Sequence, residues 1–338
     1  MQSALKLNAA ALETRGVYCW LPDPKFGNFS RALSNRFRNP KTRLRPLERR
    51  SFDSLDQAVE WSMASWDDLA RQVSARKPRL TVLSSETLFG VADTDSVLDA
   101  LRAIFDRVTV LVYVRDPAEF YKSTLDQSIR GGMRLANLPL PGEFAPPTRR
   151  MLQAYHERLD RQDLIVRNFD RSNLAGGDVV TDFFEQIERV AGHPVDAPLL
   201  PPRENESLPA AATVWLLSLN EAFVRFKDAD DREEVKARFN LINRLRKSPV
   251  LAGLPKLKLD DPQLLALVRQ NSRATIEFVN ATFFADQIPL APVPASAEVV
   301  DPAAQRLRLF EWFMSQAPET LLKQVVGEAM KPLPAASA

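Results

Sequence analysis

Val108–Gly132, VTVLVYVRDPAEFYKSTLDQSIRGG, is the stretch around which the rest of the chain is organised. Val108 to Val114 is a nearly unbroken apolar, β-branched run, which predicts a strand buried on both faces inside a parallel sheet. Arg115 stands where that strand ends. Asp116, Pro117 and Glu119 then form a helix start: an N-cap acid, a proline at the first helical position and an acid at N3. Ser123 follows about two turns into the helix. A cation and a hydroxyl are therefore expected at the carboxyl end of a central strand, where open α/β sheets bind ligands. The plainer alternative is a strand–helix corner whose arginine pairs with a surface acid.

On the amino-terminal side, Gln2 to Thr14 reads as an amphipathic helix stopped at Gly16, and Val17 to Trp20 as a short strand. Leu21 to Ser51 is a polar excursion longer than ordinary connections, which suggests a functional loop or an insertion. It gathers arginines between Arg31 and Arg50, either as a solvated loop or as a site for an anionic acceptor. Leu55, Val59, Met63, Trp66, Leu69 and Val73 recur at helical spacing behind a cap at Asp53 or Ser54. Leu80 to Leu83 is the next strand and runs into Ser84, Ser85 and Glu86. A helix through Val97, Leu98, Leu101 and Ile104 leads into the Val108 strand. Strand and helix thus alternate, as in parallel βαβ units.

On the carboxyl side come a Pro-rich loop, LANLPLPGEFAPP, a plausible substrate lid, and then a helix over Thr148–Leu159. A strand at Leu164–Val166 and a helix capped by Asp178 and ending at Gly192 complete the pattern. Beyond a Pro-rich connector everything reads as helix: Pro209–Lys227, Asp231–Arg246, Asp261–Phe284, Pro302–Gln316 and Pro318–Met330. Leu264, Leu267, Val268, Ile276 and Val279 suit either the sheet domain or a partner chain, which leaves a homo-oligomer open. The expected organisation is an α/β domain over 1–200, a helical region over 201–330 packed on it, and a tail over 331–338.

With 45 Lys and Arg against 43 Asp and Glu, the net charge of +2 singles out neither nucleic acid nor a membrane as partner. No apolar run is long enough to span a bilayer. The single cysteine, Cys19, excludes an internal disulfide framework and fits a reducing, cytoplasmic setting. It lies in an apolar segment, which predicts a buried thiol rather than a nucleophile. His156 and His193 are the only histidines and neither has a partner at ligand spacing, so no metal site and no Ser-His-Asp triad is expected.

Four stretches together resemble the bacterial sulfotransferase-like family, which uses 3′-phosphoadenosine-5′-phosphosulfate (PAPS). TVLSSETL is similar to that family's strand ending in Ser-Ser-Glu, and VTVLVYVRDPAEFYKSTLDQSIRGG to its 3′-phosphate segment. LIVRNFDRSNLAGGDVVTDFFEQI and RENESLPAAATVWLLSLN resemble the stretches that follow there. The resemblance covers residues 1 to about 225 and implies a P-loop-like α/β fold with PAPS as sulfuryl donor. It implies that Arg115 and Ser123 hold the 3′-phosphate, where a guanidinium fork and a neutral hydroxyl are suited to phosphate. Glu86 is the candidate general base on an acceptor hydroxyl, its alternative being a helix N-cap interaction. Arg203, Asn205 and Ser207 would close over the nucleotide, or else belong to a loop capping the Pro209 helix. The acceptor would be a hydroxyl or amine on a small molecule, lipid or carbohydrate, with no metal required.

The chain departs from the family in lacking the first strand and the Lys-x-Gly-Thr-Thr loop that holds the 5′-phosphosulfate. Met1 falls about where that loop should finish, so either the true start lies upstream or the loop has been lost. Two rivals to the enzyme follow. One is a non-catalytic nucleotide- or partner-binding relic of the fold. The other is a nucleotide-sugar glycosyltransferase, for which no Asp-x-Asp metal motif is present. The missing strand also predicts a gap or an open edge in the parallel sheet near Leu80–Ser84 or Val108–Val114, and with it poor stability or aggregation.

Overall fold

The computed structural model describes residues 1–22, 29–44, 48, 51–195, 198–200, 207–222, 232–294 and 301–331, with the backbone alone for 232–235. It is a mixed α/β protein. The elements run α1 (Gln2–Thr14), β1 (Val17–Cys19), α2 (Ser30–Ser34), α3 (Leu55–Arg76), β2 (Leu80–Val82), α4 (Thr94–Arg102), β3 (Val110–Val114), α5 (Pro117–Arg130), α6 (Thr148–His156), β4 (Leu164–Asn168) and α7 (Val179–Ala191). Then follow α8 (Ala210–Ala222), α9 (Arg232–Lys247), α10 (Pro249–Ala252), α11 (Pro262–Asn271), α12 (Arg273–Phe283), α13 (Pro302–Ser315) and α14 (Glu319–Ala329). Short 3₁₀ turns punctuate the loops.

The chain forms two compact units. One comprises 1–114, 147–202 and 279–289; the other comprises 115–146, 203–278 and 290–338. One crossover, between 202 and 203, lies close to the division at 200 read from the sequence. The segments 115–146 and 279–289 each join the unit of the opposite half, which a linear division cannot express.

In the first unit β1 pairs with β2, and β3 with β4, both in parallel. The alternation of β1 decides its two faces. Val17 and Cys19 enter one apolar cluster with Leu5, Leu12, Val82, Phe184 and Ile187 from α1, β2 and α7. Tyr18 and Trp20 enter another with Leu33, Trp66, Leu69, Val97 and Leu101 from α2, α3 and α4. Gly16, at φ +74°, supplies the left-handed residue that turns α1 into β1.

In place of the one parallel sheet expected from the strand–helix alternation, the described residues form two separate two-stranded parallel sheets. Among the described residues β2 and β3 share no ladder, so the break anticipated near these strands is present. One expectation is corrected with it. The strand was read as buried on both faces, yet Val110 to Tyr113 are only half-buried and Val114 alone is buried. Among the described residues β3 pairs with a strand on one side only, so no second neighbour extends the cover over its faces. The free edge of β4 is closed differently: Gln287 Nε2 donates to the Val166 carbonyl at 2.9 Å, and the Asn168 amide donates to Gln287 Oε1 at 3.0 Å.

A buried acid ties β3, β4 and α7 together. Asp182 is fully buried and accepts from Tyr113 Oη at 2.8 Å, from the Arg167 guanidinium and from the Ala175 amide at 3.1 Å. Burial pushes the Asp182 carboxyl up, and these donors outweigh it, so the group is held below the usual carboxylate range.

The second unit is helical. Its core runs through α8, whose Ala210, Ala211, Ala212, Val214, Leu216 and Leu217 are all buried, as expected of a helix that is apolar around its whole circumference. Helix α5 contributes Tyr121, Leu125 and Ile129, and α11 contributes Leu264 and Val268. The single helix read over Asp261–Phe284 is two, α11 and α12, parted at Ser272. Among the described residues no helix is long and apolar enough to cross a membrane.

Candidate functional site

The turn from β3 into α5 is built as its sequence indicates. Asp116 Oδ1 accepts the Ala118 amide at 2.9 Å, and Pro117 opens the helix. Glu119 does not reach back to the cap; it pairs with Lys122 one turn on. Arg115 is exposed, while the protein crowded around its guanidinium pushes its pKa below the ordinary arginine value and Glu119 pulls the other way. Ser123 is half-buried, and its hydroxyl has no hydrogen-bond partner among the described residues. It lies seven residues after Asp116, two turns above it on the same helix face.

One residue at this corner carries no local sequence signal. Arg269, in the last turn of α11, brings an Nη atom to 3.8 Å from Asp116 Oδ2. Its surroundings, QLLALVRQN, read as an ordinary amphipathic helix. Within the second unit Arg269 thus meets Asp116 at the start of α5, with Ser123 roughly 10 Å along the same helix.

Glu86 belongs to the first unit. The turn after β2 is pinned to α1 and α2 by a dense set of bonds. The Glu86 amide donates to Ser30 Oγ at 2.8 Å, Thr87 Oγ1 to the Ser30 carbonyl at 3.2 Å, and Gln2 Nε2 to the Ser84 carbonyl at 3.1 Å. The capping role considered for Glu86 falls to Ser85, whose hydroxyl accepts the amides of Thr87 and Leu88 at 3.3 and 3.0 Å. The Glu86 side chain is exposed, and its carboxylate has no partner among the described residues. A rigid turn thus presents an unpaired acid to solvent.

Arg203 and Asn205 lie outside the described residues. Ser207 is exposed; its carbonyl accepts Lys256 Nζ at 2.7 Å, and Pro209 bridges to Lys256 in antiparallel fashion. In the arginine-rich loop, Arg31 and Arg38 both pair with the buried Glu48, the latter at 2.7 Å, and Arg36 lies over the Phe37 and Trp66 rings. These three arginines serve packing rather than standing solvated. Arg45, Arg49 and Arg50 lie outside the described residues. Cys19 is buried, and burial pushes its thiol up to about 12, which disfavours the reactive thiolate. No cluster of three or more His, Cys, Asp or Glu side chains suited to a metal ion occurs among the described residues. Comparison with protein-family models, with curated proteins and with solved structures finds nothing that this chain matches.

Proposed function

We propose that the chain is a sulfotransferase-like protein that binds a 3′-phosphorylated adenine nucleotide at the start of α5, with PAPS as the sulfuryl donor. The observation that carries this reading is the corner itself. An arginine at a strand's carboxyl end leads into an Asp-capped helix that carries an unpartnered serine hydroxyl two turns on. A guanidinium and a hydroxyl so placed suit a phosphate monoester. Sulfuryl transfer then requires in-line positioning, charge stabilisation and removal of one proton from the acceptor. Glu86, exposed and unpaired, is the candidate base on a hydroxyl or amine of a carbohydrate, lipid or small molecule.

The test is nucleotide discrimination. 3′-Phosphoadenosine-5′-phosphate is expected to raise the melting temperature more than 5′-AMP does, and Arg115→Ala to abolish that preference. Removing a charged hydrogen-bonding partner is worth about 1.5–3 kcal/mol, or about tenfold to a hundredfold in affinity. Equal shifts with the two nucleotides would overturn the assignment.

A second reading, nucleotide binding without transfer, is favoured by one feature: these 338 residues contain no Lys-x-Gly-Thr-Thr loop to hold the transferring group. Loss of a single oxyanion-type donor typically costs about 10²–10³ in rate. Turnover of PAPS by the chain at an ordinary rate would eliminate this reading.

A further inference from the structure

Helix α13 carries two apolar faces. Leu309, Trp312 and Phe313 are buried in the core of the second unit. On its outer side Leu307, Phe310 and Met314 are 59, 43 and 43% exposed. Their spacing of three and four residues makes one stripe about 10 Å long. A helix that buries one face against its own unit ordinarily turns polar residues outward. The other large exposed apolar side chains described in this unit, Phe120, Phe239, Val250 and Met330, come one each from α5, α9, α10 and the end of α14. Such single exposures are normal, whereas a stripe marks a surface that is covered in use.

The two flanks of the stripe differ. On one, Arg306 Nη1 donates to the carbonyls of Leu135 and Leu138, both at 2.7 Å. On the other, Arg308 and Glu311 stand one turn apart and, with Gln263, Leu267 and Ala304, line a groove of about 200 Å³ between α11 and α13. Arg308 sends Nε to both oxygens of Asp261 at 2.9 and 3.0 Å; its Nη atoms make no hydrogen bond among the described residues, and its side chain is 41% exposed. Glu311 is exposed, and its carboxylate has no partner among the described residues.

We propose that the outer face of α13 takes a second copy of this chain, with the two α13 helices antiparallel. A two-fold axis between residues 310 and 311 sets Leu307 against the partner's Met314 and the two Phe310 rings against each other. Equal flanks then meet, so Arg308 lies about 3 Å along the helix axis from the partner's Glu311, twice over by symmetry. Each guanidinium keeps Asp261 on Nε and offers Nη to the incoming carboxylate. A parallel pair would turn Arg308 toward the Arg306 flank, and an anionic lipid surface would meet Glu311, so the mixed charge selects a second copy. Two turns of helix fall short of the roughly 800 Å² per partner of a standard interface, which sets the dissociation constant at about 10–100 µM.

Sedimentation equilibrium over about 5–500 µM protein tests the surface. The wild type is expected to be a reversible monomer–dimer. Leu307→Ser/Phe310→Ser is expected to stay monomeric and to melt as the wild type does, since both side chains are exposed. Glu311→Arg is expected to weaken the dimer about tenfold, and mixing it with Arg308→Glu to restore association, because opposite charges then face each other at both positions. If Arg308→Glu does not fold, the other two variants decide. A wild type that is monomeric throughout overturns the inference, as does a dimer that Leu307→Ser/Phe310→Ser or Glu311→Arg leaves at full strength. A monomeric wild type that binds phosphatidylserine vesicles, and loses them in Leu307→Ser/Phe310→Ser, would make the stripe a membrane face and overturn it equally.

Discussion

At the carboxyl end of α5, Asn220 Nδ2 donates to the carbonyls of Ile129 and Met133 at 2.9 and 2.8 Å. Arg238 donates to the carbonyls of Arg130 and Ile129 at 2.9 and 2.7 Å, and to Asn220 Oδ1 at 2.7 Å. Both side chains are buried, and burial pushes the Arg238 guanidinium down to about 10. At the amino end of the same helix, Arg269 and Asp116 meet only loosely at 3.8 Å. Each end has an arginine brought from a later helix. At the carboxyl end the cation meets helix carbonyls, which are orphaned there and carry partial negative charge, so it locks the chain down. At the amino end the cation meets one carboxylate, and only at 3.8 Å. The difference separates an arginine hydrogen-bonded into the fold from one that makes only a loose ion pair.

The hardest way to break this comparison is Arg238→Met, which keeps much of the apolar stem and removes every donor. Urea unfolding is expected to show a loss of about 2–4 kcal/mol, since the Arg130 carbonyl and Asn220 Oδ1 lose this donor and an acceptor left unsatisfied costs about 1–3 kcal/mol. Nucleotide preference should survive wherever the variant is folded. A loss below about 0.5 kcal/mol would mean that the carboxyl end is not locked as described.

Asp182 provides the reference for a fully spent acid, and Asp182→Asn is expected to cost about 1.5–3 kcal/mol at pH 7. The pH dependence has a definite sign. Its folded carboxyl is held below the ordinary value, so its contribution is complete above about pH 4 and is lost as pH falls through the folded value. Unfolding curves of the wild type and Asp182→Asn should therefore converge on acidification. A gap that stays constant down to pH 2 would show that the carboxylate charge is not what stabilises this junction.

The smallest effect is expected at the amino end of α5. Without ligand, Arg269→Gln should change the unfolding free energy by less than about 1 kcal/mol, because a partly exposed pair at that distance contributes little. A loss as large as that of Arg238→Met would place Arg269 among the structural arginines and erase the contrast between the two ends.

Local features were legible because their causes lie within a few residues. Asp116, Pro117 and Asp178 cap or open their helices as the sequence indicates, Ser54, one of two candidates with Asp53, caps α3, and the four strands among the described residues lie where apolar runs predicted them. Arg115, Asp116 and Ser123 are similarly close in sequence and share one helix start. The break at Ser272 was not legible, since the apolar spacing of Leu264, Leu267, Val268, Ile276 and Val279 runs through it without interruption. Arg269 was missed for a related reason: nothing within α11 marks one arginine of an amphipathic helix as different from another.

The sequence by itself determined the four described strands, most of the longer helices with their caps, and the parallel direction of strands joined through helices. Caps and alternation are set by neighbours in the chain and by the right-handed geometry of its backbone. Only the tertiary structure decided that β2 and β3 do not share a sheet, that residues 115–146 join the helices of the later half, and which arginine does what. Arg238 finds α5 across 108 positions of sequence. Arg269 reaches Asp116 from a helix with no local link to it. Such pairings depend on which surfaces bury one another, and a guanidinium becomes a helix cap or one half of a loose ion pair through the acceptors that packing sets in front of it.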